Sequence, residues 1–212
     1  MKNYVIFDLD GTLLDSMFVW MDAGALFLCK KGMQAPNNLS EQLKAMSLSQ
    51  SAHYLKNHFQ LALSIPEIME GIKGVVEKQY VEEVQLKPFV REYLQHLKAR
   101  HIRMCIVTAS EYAHVEAALK RLRVRHYFDF ILTCSDVGYG KDNPIIFQCA
   151  AEKWGVTFQE VIVFEDALHA VKTAKAAGFF TVGVYDDSAK EDTAEIKRIA
   201  DMYTYNFNEI SL

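Results

Sequence analysis

The sequence of 212 residues lacks any apolar run near the roughly 20 residues that a membrane-spanning helix requires. The apolar run near the N-terminus, Tyr4–Phe7, is too short for the core of a signal peptide. The net charge is −4 and the basic residues form no long run, so the composition favours neither a nucleic acid nor an anionic membrane surface as a partner. We therefore expect a cytoplasmic protein without a nucleic-acid or membrane partner, and we expect it to be a monomer.

Cysteine and histidine are not arranged as metal sites. The four cysteines contain no Cys-x-x-Cys pair, and the seven histidines contain no pair at the i, i+4 spacing of a helical metal site. The cysteines are interpreted as buried thiols in a reducing compartment, which excludes a zinc site and a disulfide framework. They are Cys29, Cys105, Cys134 and Cys149.

A short acidic motif after the first predicted strand is the most informative feature that is present. The run Tyr4–Phe7 is typical of a strand buried on both faces, and Asp8 and Asp10 follow it. Residues two apart on an extended chain point the same way, so both carboxylates can share one pocket. Two such carboxylates repel unless a cation lies nearby, which favours a divalent metal. Gly11 allows a sharp turn, although Asp-Gly is also common in solvated turns, so the motif alone does not decide.

Residues 16–85 are predicted to be entirely helical. Ser16 is predicted to cap a helix over residues 17–31, and Ser64 begins a later helix with a capping-box pattern. This helical block is inserted directly after the loop that carries the two aspartates. An insertion at that position is where a lid over the site is expected.

After Pro88 the pattern alternates between strands and helices. The strands predicted after this point are residues 102–107, 128–133, 161–164 and 180–184. The alternation predicts βαβ units and hence an α/β fold with a doubly wound, Rossmann-like parallel sheet. The predicted domains are an α/β core of residues 1–15 and 86–212 and an all-helical cap of residues 16–85.

Polar side chains follow several of the predicted strands. Thr108 follows one strand, and Glu165 and Asp166 follow another. Lys141 lies just before a predicted helix. Because the carboxyl ends of parallel strands meet at one edge of the sheet, we expect these side chains to lie near the first acidic motif. Carboxylate oxygens suit Mg²⁺, and lysine together with Mg²⁺ suits a phosphoryl group.

Four motifs in this order resemble those of the haloacid dehalogenase superfamily, in its branch with a helical cap. They are Phe7–Leu13, Val107–Ser110, Gly140–Pro144 and Val163–Asp166, and the resemblance covers essentially the whole chain. The resemblance implies a phosphoric monoester hydrolase with a Rossmann-like core and Mg²⁺ as its cofactor.

The resemblance also implies a role for each candidate residue. Asp8 attacks phosphorus and becomes an aspartyl phosphate, and Asp10 acts as the general acid and base. Mg²⁺ is bound by Asp8, by the backbone carbonyl of Asp10 and by Asp166. Glu165 orients Asp166 or the water molecules around the metal. The residues implied to bind the substrate phosphate are Thr108, Ala109 and Lys141.

The function that follows is hydrolysis of a small phosphorylated metabolite by a Mg²⁺-dependent phosphatase. The main alternative is a hexose-phosphate mutase similar to β-phosphoglucomutase. That enzyme has a histidine where this chain has Trp20, and an arginine for the second phosphate where this chain has Leu48, although the nearby Lys44 could substitute for it. A dehalogenase is disfavoured because it has no proton donor at the position of Asp10. A non-enzymatic phospho-acceptor or binding module is a further alternative. The presence of Asp10 argues against it, because a module that keeps its phosphate does not need a general acid and base.

Overall fold

The computed structural model describes residues 2–43, 46 and 48–210. The strands are β1 (Tyr4–Phe7), β2 (Leu14–Asp15), β3 (Gln85–Leu86), β4 (Arg103–Thr108), β5 (Ile131–Thr133), β6 (Val161–Glu165), β7 (Phe180–Val184) and β8 (Met202–Thr204). The α-helices are α1 (Met17–Lys30), α2 (Leu39–Leu43), α3 (Leu48–His58), α4 (Ile65–Glu82), α5 (Val90–Ala99), α6 (Tyr112–Arg121), α7 (Cys134–Val137), α8 (Ile145–Trp154), α9 (Leu168–Ala176) and α10 (Thr193–Ile199).

The chain is divided into two compact units. The described residues of 1–15 and 85–212 form an α/β unit, and those of 16–84 form a helical unit. The helical unit contains α1 to α4, and the α/β unit contains the strands and α5 to α10. The role of the helical unit as a cap stays a prediction.

Six strands form one parallel sheet in the order β5-β4-β1-β6-β7-β8. The chain moves outward from β1 to β4 and β5, and it then returns to the other side of β1 for β6, β7 and β8. β1 therefore lies where the strand order reverses, and the carboxyl ends of strands at such a point form the usual ligand site of an open α/β sheet. The predicted doubly wound α/β fold is confirmed.

β1 is buried on both faces of the sheet. Ile6 and Phe7 point to opposite faces because side chains alternate along a strand. Ile6 belongs to a buried cluster that includes Ile146 of α8. On the other face, the ring of Phe7 lies 4.8 Å from that of Phe164 and 6.5 Å from that of Tyr93, between ring centroids. This double burial explains why β1 is a continuous apolar run.

Both predicted helix starts are confirmed, but only the second has the predicted side-chain cap. Ser16 occupies the N-cap position of α1, but its side chain makes no capping hydrogen bond. Its ψ of −8° differs from the extended backbone from which an N-cap hydroxyl usually reaches the first amides. At α4 the capping box is present, since Ser64 Oγ accepts from the N–H of Glu67 and the Glu67 carboxylate accepts from the N–H of Ser64.

Several short elements differ from the sequence-based expectation. The antiparallel pair β2–β3, the short helices α2 and α7 and the edge strand β8 were not predicted. The strand predicted over residues 128–133 is observed as β5 over Ile131–Thr133, and the N–H of Asp129 and the carbonyl of Phe130 just before it also form hydrogen bonds with β4. A strand of two or three residues, or a single helical turn, is too short to show a periodic pattern, and none of these elements is a continuous apolar run like β1.

The helical unit is held together by contacts between α1 and α4. A Cβ added at Gly71 would lie 2.3 Å from the Phe27 ring, so the glycine permits a close approach of the two helices. Trp20 Nε1 donates a hydrogen bond to the hydroxyl of Tyr80 at 2.9 Å.

Lys44, the suggested substitute for a phosphate-binding arginine, lies outside the described residues. Within the described residues, no helix combines the length and apolar character needed to cross a membrane.

Candidate active site

Asp8 directly follows β1 and is buried. Its backbone N–H donates to the carbonyl of Phe164 at 3.0 Å, which continues the pairing of β1 with β6 by one residue. The residue is only 6 % exposed. A carboxylate at this depth requires a compensating charge or hydrogen-bond donors.

Lys141 supplies a compensating charge. It lies on the loop before α8, and its Nζ donates to Asp8 Oδ1 and, at 2.9 Å, to Glu165 Oε1. Burial lowers the pKa of Lys141, but the carboxylates of Asp8 and Glu165 raise it by more, so its pKa lies above the ordinary value. The ammonium group is therefore charged at neutral pH, and two residues from separate sequence motifs are in direct contact.

Glu165 is the last residue of β6, and Asp166 follows it. Glu165 Oε2 accepts a hydrogen bond from the N–H of Asp166 at 2.9 Å. Burial and the charge of Asp8 raise the pKa of Glu165 to about 7, although Lys141 opposes this shift. Burial and the charges of Glu165 and Asp8 raise the pKa of Asp166 well above its ordinary value. This corner of the sheet thus holds more carboxylates than one ammonium group can neutralise.

Three carboxyl groups are close enough to share a cation. Asp8, Glu165 and Asp166 each offer one oxygen atom, and these atoms lie within 4.8 Å of one another. Asp8 Oδ2 is buried and has no hydrogen-bond partner within the described part of the chain. An orphaned carboxylate oxygen beside two carboxyl groups with raised pKa values fits a divalent cation, and oxygen donors of this kind suit Mg²⁺.

The loop after β1 lies directly against Asp166. Thr12 is fully buried, and its Oγ1 donates to Asp166 Oδ1 at 2.9 Å. Gly11 has a φ of +83°, and a Cβ added there would lie 2.5 Å from Asp166 Oδ2. Glycine is therefore required by the backbone conformation and by the close approach of the carboxylate. The contact of Thr12 was not predicted, although Thr12 lies inside the first motif.

Replacing Gly11 by alanine is expected to lower the activity of the site about 100-fold, because the added Cβ displaces Asp166. Gly155→Ala is the matched control, since Gly155 has a φ of +71° and nothing within 4 Å of an added Cβ. Both variants are expected to lose about 1 kcal/mol of stability from backbone strain alone. Rates and thermal unfolding of both proteins check this, and equal activity of the two variants would contradict it.

Asp10 is held by the loop that follows β4. Ser110 Oγ donates to Asp10 Oδ2 at 2.6 Å, and the N–H of Ser110 donates to Thr108 Oγ1 at 3.0 Å. Thr108 is fully buried, whereas Ala109 is exposed. Within the described residues, Asp10 is not part of the group of three carboxyl groups that could share a cation. The sequence analysis assigned no role to Ser110. Its position at the end of the second motif was the only signal that pointed to it.

The family profile described as haloacid dehalogenase-like hydrolase matches residues 5–184. The chain is a haloacid dehalogenase-like hydrolase. This confirms the family resemblance and the prediction of a hydrolase. The matched segment contains each candidate residue from Asp8 to Asp166.

Curated relatives of this haloacid dehalogenase-like hydrolase include two sugar-phosphate phosphatases. The phosphorylated carbohydrates phosphatase of Thermotoga maritima is 26% identical over 174 residues, which cover 82% of this chain and 81% of the relative. The fructose-1-phosphate phosphatase of Escherichia coli is 30% identical over 182 residues, covering 85% of this chain and 95% of the relative.

Solved structures share the fold over nearly the whole chain. A Thermotoga maritima crystal structure, provisionally named as a β-phosphoglucomutase, has a TM-score of 0.83 at 25% identity and covers 95% of this chain and 94% of that chain. The β-phosphoglucomutase of Clostridium difficile has a TM-score of 0.72 at 23% identity, covering 100% of this chain and 94% of that chain. At 23% identity the second likeness concerns the fold alone.

Proposed function

We propose that this hydrolase is a Mg²⁺-dependent phosphatase that acts on a small phosphorylated metabolite. The observation that carries the proposal is the environment of the Asp8 carboxylate. Lys141 binds Oδ1, whereas Oδ2 has no partner within the described residues. The two curated relatives are named as phosphatases of phosphorylated carbohydrates and of fructose 1-phosphate, which supports the same class of reaction.

The proposed metal ligands are Asp8, Asp166 and the backbone carbonyl of Asp10. Both carboxylate oxygens of Glu165 already accept hydrogen bonds, one from Lys141 and one from the N–H of Asp166. Glu165 is therefore proposed to orient Asp166 rather than to bind the metal. When bound, Mg²⁺ would neutralise the charge of a phosphate that approaches these carboxylates.

Asp8 is the proposed nucleophile. Its carboxylate oxygen attacks phosphorus, the bond from phosphorus to the leaving oxygen breaks, and an aspartyl phosphate forms. Lys141 offsets the charge of the Asp8 carboxylate through their ion pair and would also contact a phosphoryl oxygen. Attack of water on the aspartyl phosphate then releases inorganic phosphate and restores the carboxylate.

Asp10 is the proposed general acid and base. It gives a proton to the leaving oxygen in the first step and takes a proton from the attacking water in the second. The hydrogen bond from Ser110 fixes the position of one Asp10 oxygen, which supports this role. At the end of β4, the hydroxyl of Thr108 is proposed to bind a phosphoryl oxygen. Ala109 is proposed to bind another through its backbone N–H, because its side chain has no hydrogen-bond donor.

The helical unit of residues 16–84 is proposed to act as a cap that selects the substrate. The mutase alternative has less support, because Leu48 and Trp20 replace the arginine and histidine of β-phosphoglucomutase. The phospho-acceptor alternative also has less support, since the family is one of hydrolases and both curated relatives are named as enzymes.

Release of phosphate from p-nitrophenyl phosphate in the presence of Mg²⁺ tests the proposed function, and a panel of phosphorylated metabolites extends the test to natural substrates. We expect turnover of the chromogenic substrate and of at least one metabolite. No turnover of any compound would contradict a phosphatase. Conversion of glucose 1-phosphate that requires a bisphosphate activator and exceeds hydrolysis would favour the mutase instead.

A further inference from the structure

Lys87 is a nearly buried lysine outside the four sequence motifs. It follows β3, and its side chain is 14 % exposed. Burying an ammonium group is unfavourable unless its three N–H groups find acceptors. Nζ donates to the carbonyl of Gly11 at 2.6 Å, to the carbonyl of Tyr185 at 2.5 Å and to Asp186 Oδ2 at 2.9 Å. These three acceptors distinguish Lys87 from a solvated surface lysine.

Lys87 binds the loop after β1 at two points. Its Nζ holds the carbonyl of Gly11, and its backbone N–H donates to the carbonyl of Leu13 at 2.9 Å. The peptide groups of Gly11 lie between Asp10 and Thr12, and Thr12 binds Asp166. Rotation of this segment would displace the hydroxyl of Thr12 from Asp166.

Asp186 anchors the other side of Lys87 at the end of β7. The residue is 8 % exposed, and its Oδ1 accepts hydrogen bonds from the N–H and the hydroxyl of Ser188 at 3.0 and 2.6 Å. Its second oxygen, Oδ2, binds Lys87. β6 lies between β1 and β7 in the sheet and ends at Glu165. Lys87 thus connects the loop after β1 to the end of a strand two places away.

We propose that Lys87 is a positioning residue for the active site. By holding the carbonyl of Gly11 against the end of β7, it fixes the loop of residues 9–14 so that Thr12 meets Asp166. Lys87 does not touch the reacting atoms and acts through Gly11 and Thr12. The kinetic consequence rests on the proposed phosphatase function, whereas the anchoring of the loop rests on the contacts alone.

Kinetics of two variants separate positioning from simple structural support. Lys87→Met leaves the Asp186 carboxylate buried without its cation, which lowers stability. In Lys87→Met/Asp186→Asn that charge is also removed, so stability is regained, but the carbonyl of Gly11 still lacks its donor. Positioning predicts that kcat falls about 100-fold in both variants with little change in KM. A double variant that regains thermal stability and wild-type kcat together would overturn the proposal.

Hydrogen exchange provides a second measurement that does not depend on activity. The N–H groups of Gly11, Leu13 and Leu14 are hydrogen-bonded within the loop of residues 9–14. In the double variant these amides are expected to exchange at least about 10-fold faster than in the wild type. The matched control is Lys175→Met, which removes the ion pair of Lys175 with Asp201 elsewhere in the α/β unit and should leave the loop unchanged.

The two measurements also distinguish this proposal from the proposed function. If the wild-type protein hydrolyses no phosphate ester but the loop exchanges faster in the double variant, the anchoring role stands and the phosphatase proposal fails. If the exchange of the loop is unchanged in the double variant, the role of Lys87 is overturned whatever the activity.

Discussion

The Asp8→Asn variant is expected to release phosphate at least about 10⁴-fold more slowly than the wild type, because the neutral amide cannot act as a nucleophile. Asparagine has nearly the shape of aspartate, and Lys141 keeps its contact with Glu165, so the variant is expected to fold. The measurement is the initial rate of phosphate release at saturating Mg²⁺, with circular dichroism to verify folding.

Asp192→Asn is the matched control for this loss. Asp192 is exposed and precedes α10, so the same chemical change there should leave the rate close to that of the wild type. An Asp8→Asn protein that retains more than about 1% of the wild-type rate would contradict a nucleophilic role of Asp8.

Removal of divalent metal by EDTA is expected to abolish phosphate release, and added Mg²⁺ should restore it.

The increase in stability that Mg²⁺ binding gives the folded protein should also grow with pH. Without metal, burial raises the pKa of Glu165 from 4.5 to about 7, so between these values the folded state holds a proton that the unfolded state has released. The stability of the metal-free protein therefore falls as the pH rises through this range. The pKa of Asp166, a proposed metal ligand, is also raised, and Mg²⁺ requires this carboxylate to be ionised, so its stabilising effect increases with pH as the proton leaves.

Thermal unfolding with and without Mg²⁺ at about pH 5 and about pH 8 checks this prediction. The increase in Tm caused by Mg²⁺ should be larger at the higher pH. Asp166→Asn should lose most of this increase, whereas Asp192→Asn should keep it. Activity that survives chelation, or an equal increase in Tm at both pH values, would contradict the proposed metal site.

The sequence predicted the parallel sheet because its central strands carry unambiguous patterns. The run Tyr4–Phe7 is apolar throughout since β1 is buried on both faces, and the acidic residues Asp8 and Asp166 directly follow such strands. The carboxyl ends of adjacent parallel strands necessarily lie together. The approach of Asp8, Glu165 and Asp166 therefore follows from strand order once β1 and β6 are known to be neighbours.

Other features depend on long-range contacts that no local pattern records. No local sequence pattern distinguishes Lys87 from an exposed lysine. Its contacts with Gly11 and Asp186 are long-range and form only in the folded chain. Ser110 is one hydroxyl residue among many until β4 places it beside Asp10. Ser16 stands at a helix start as predicted, but its side chain makes no capping hydrogen bond, because its backbone does not adopt the extended conformation usual for an N-cap.

The most direct test of the central claim is to trap the covalent intermediate on Asp8. The Asp10→Asn variant lacks the base for the second step, whereas p-nitrophenolate leaves without a proton from the enzyme, so the intermediate should accumulate with this substrate. The variant is mixed with p-nitrophenyl phosphate and Mg²⁺, quenched in acid and mapped by peptide mass spectrometry. We predict a burst of p-nitrophenol matched by a phosphoryl group on Asp8. A phosphoryl group on another residue, or turnover without any phosphorylated peptide, would contradict the account.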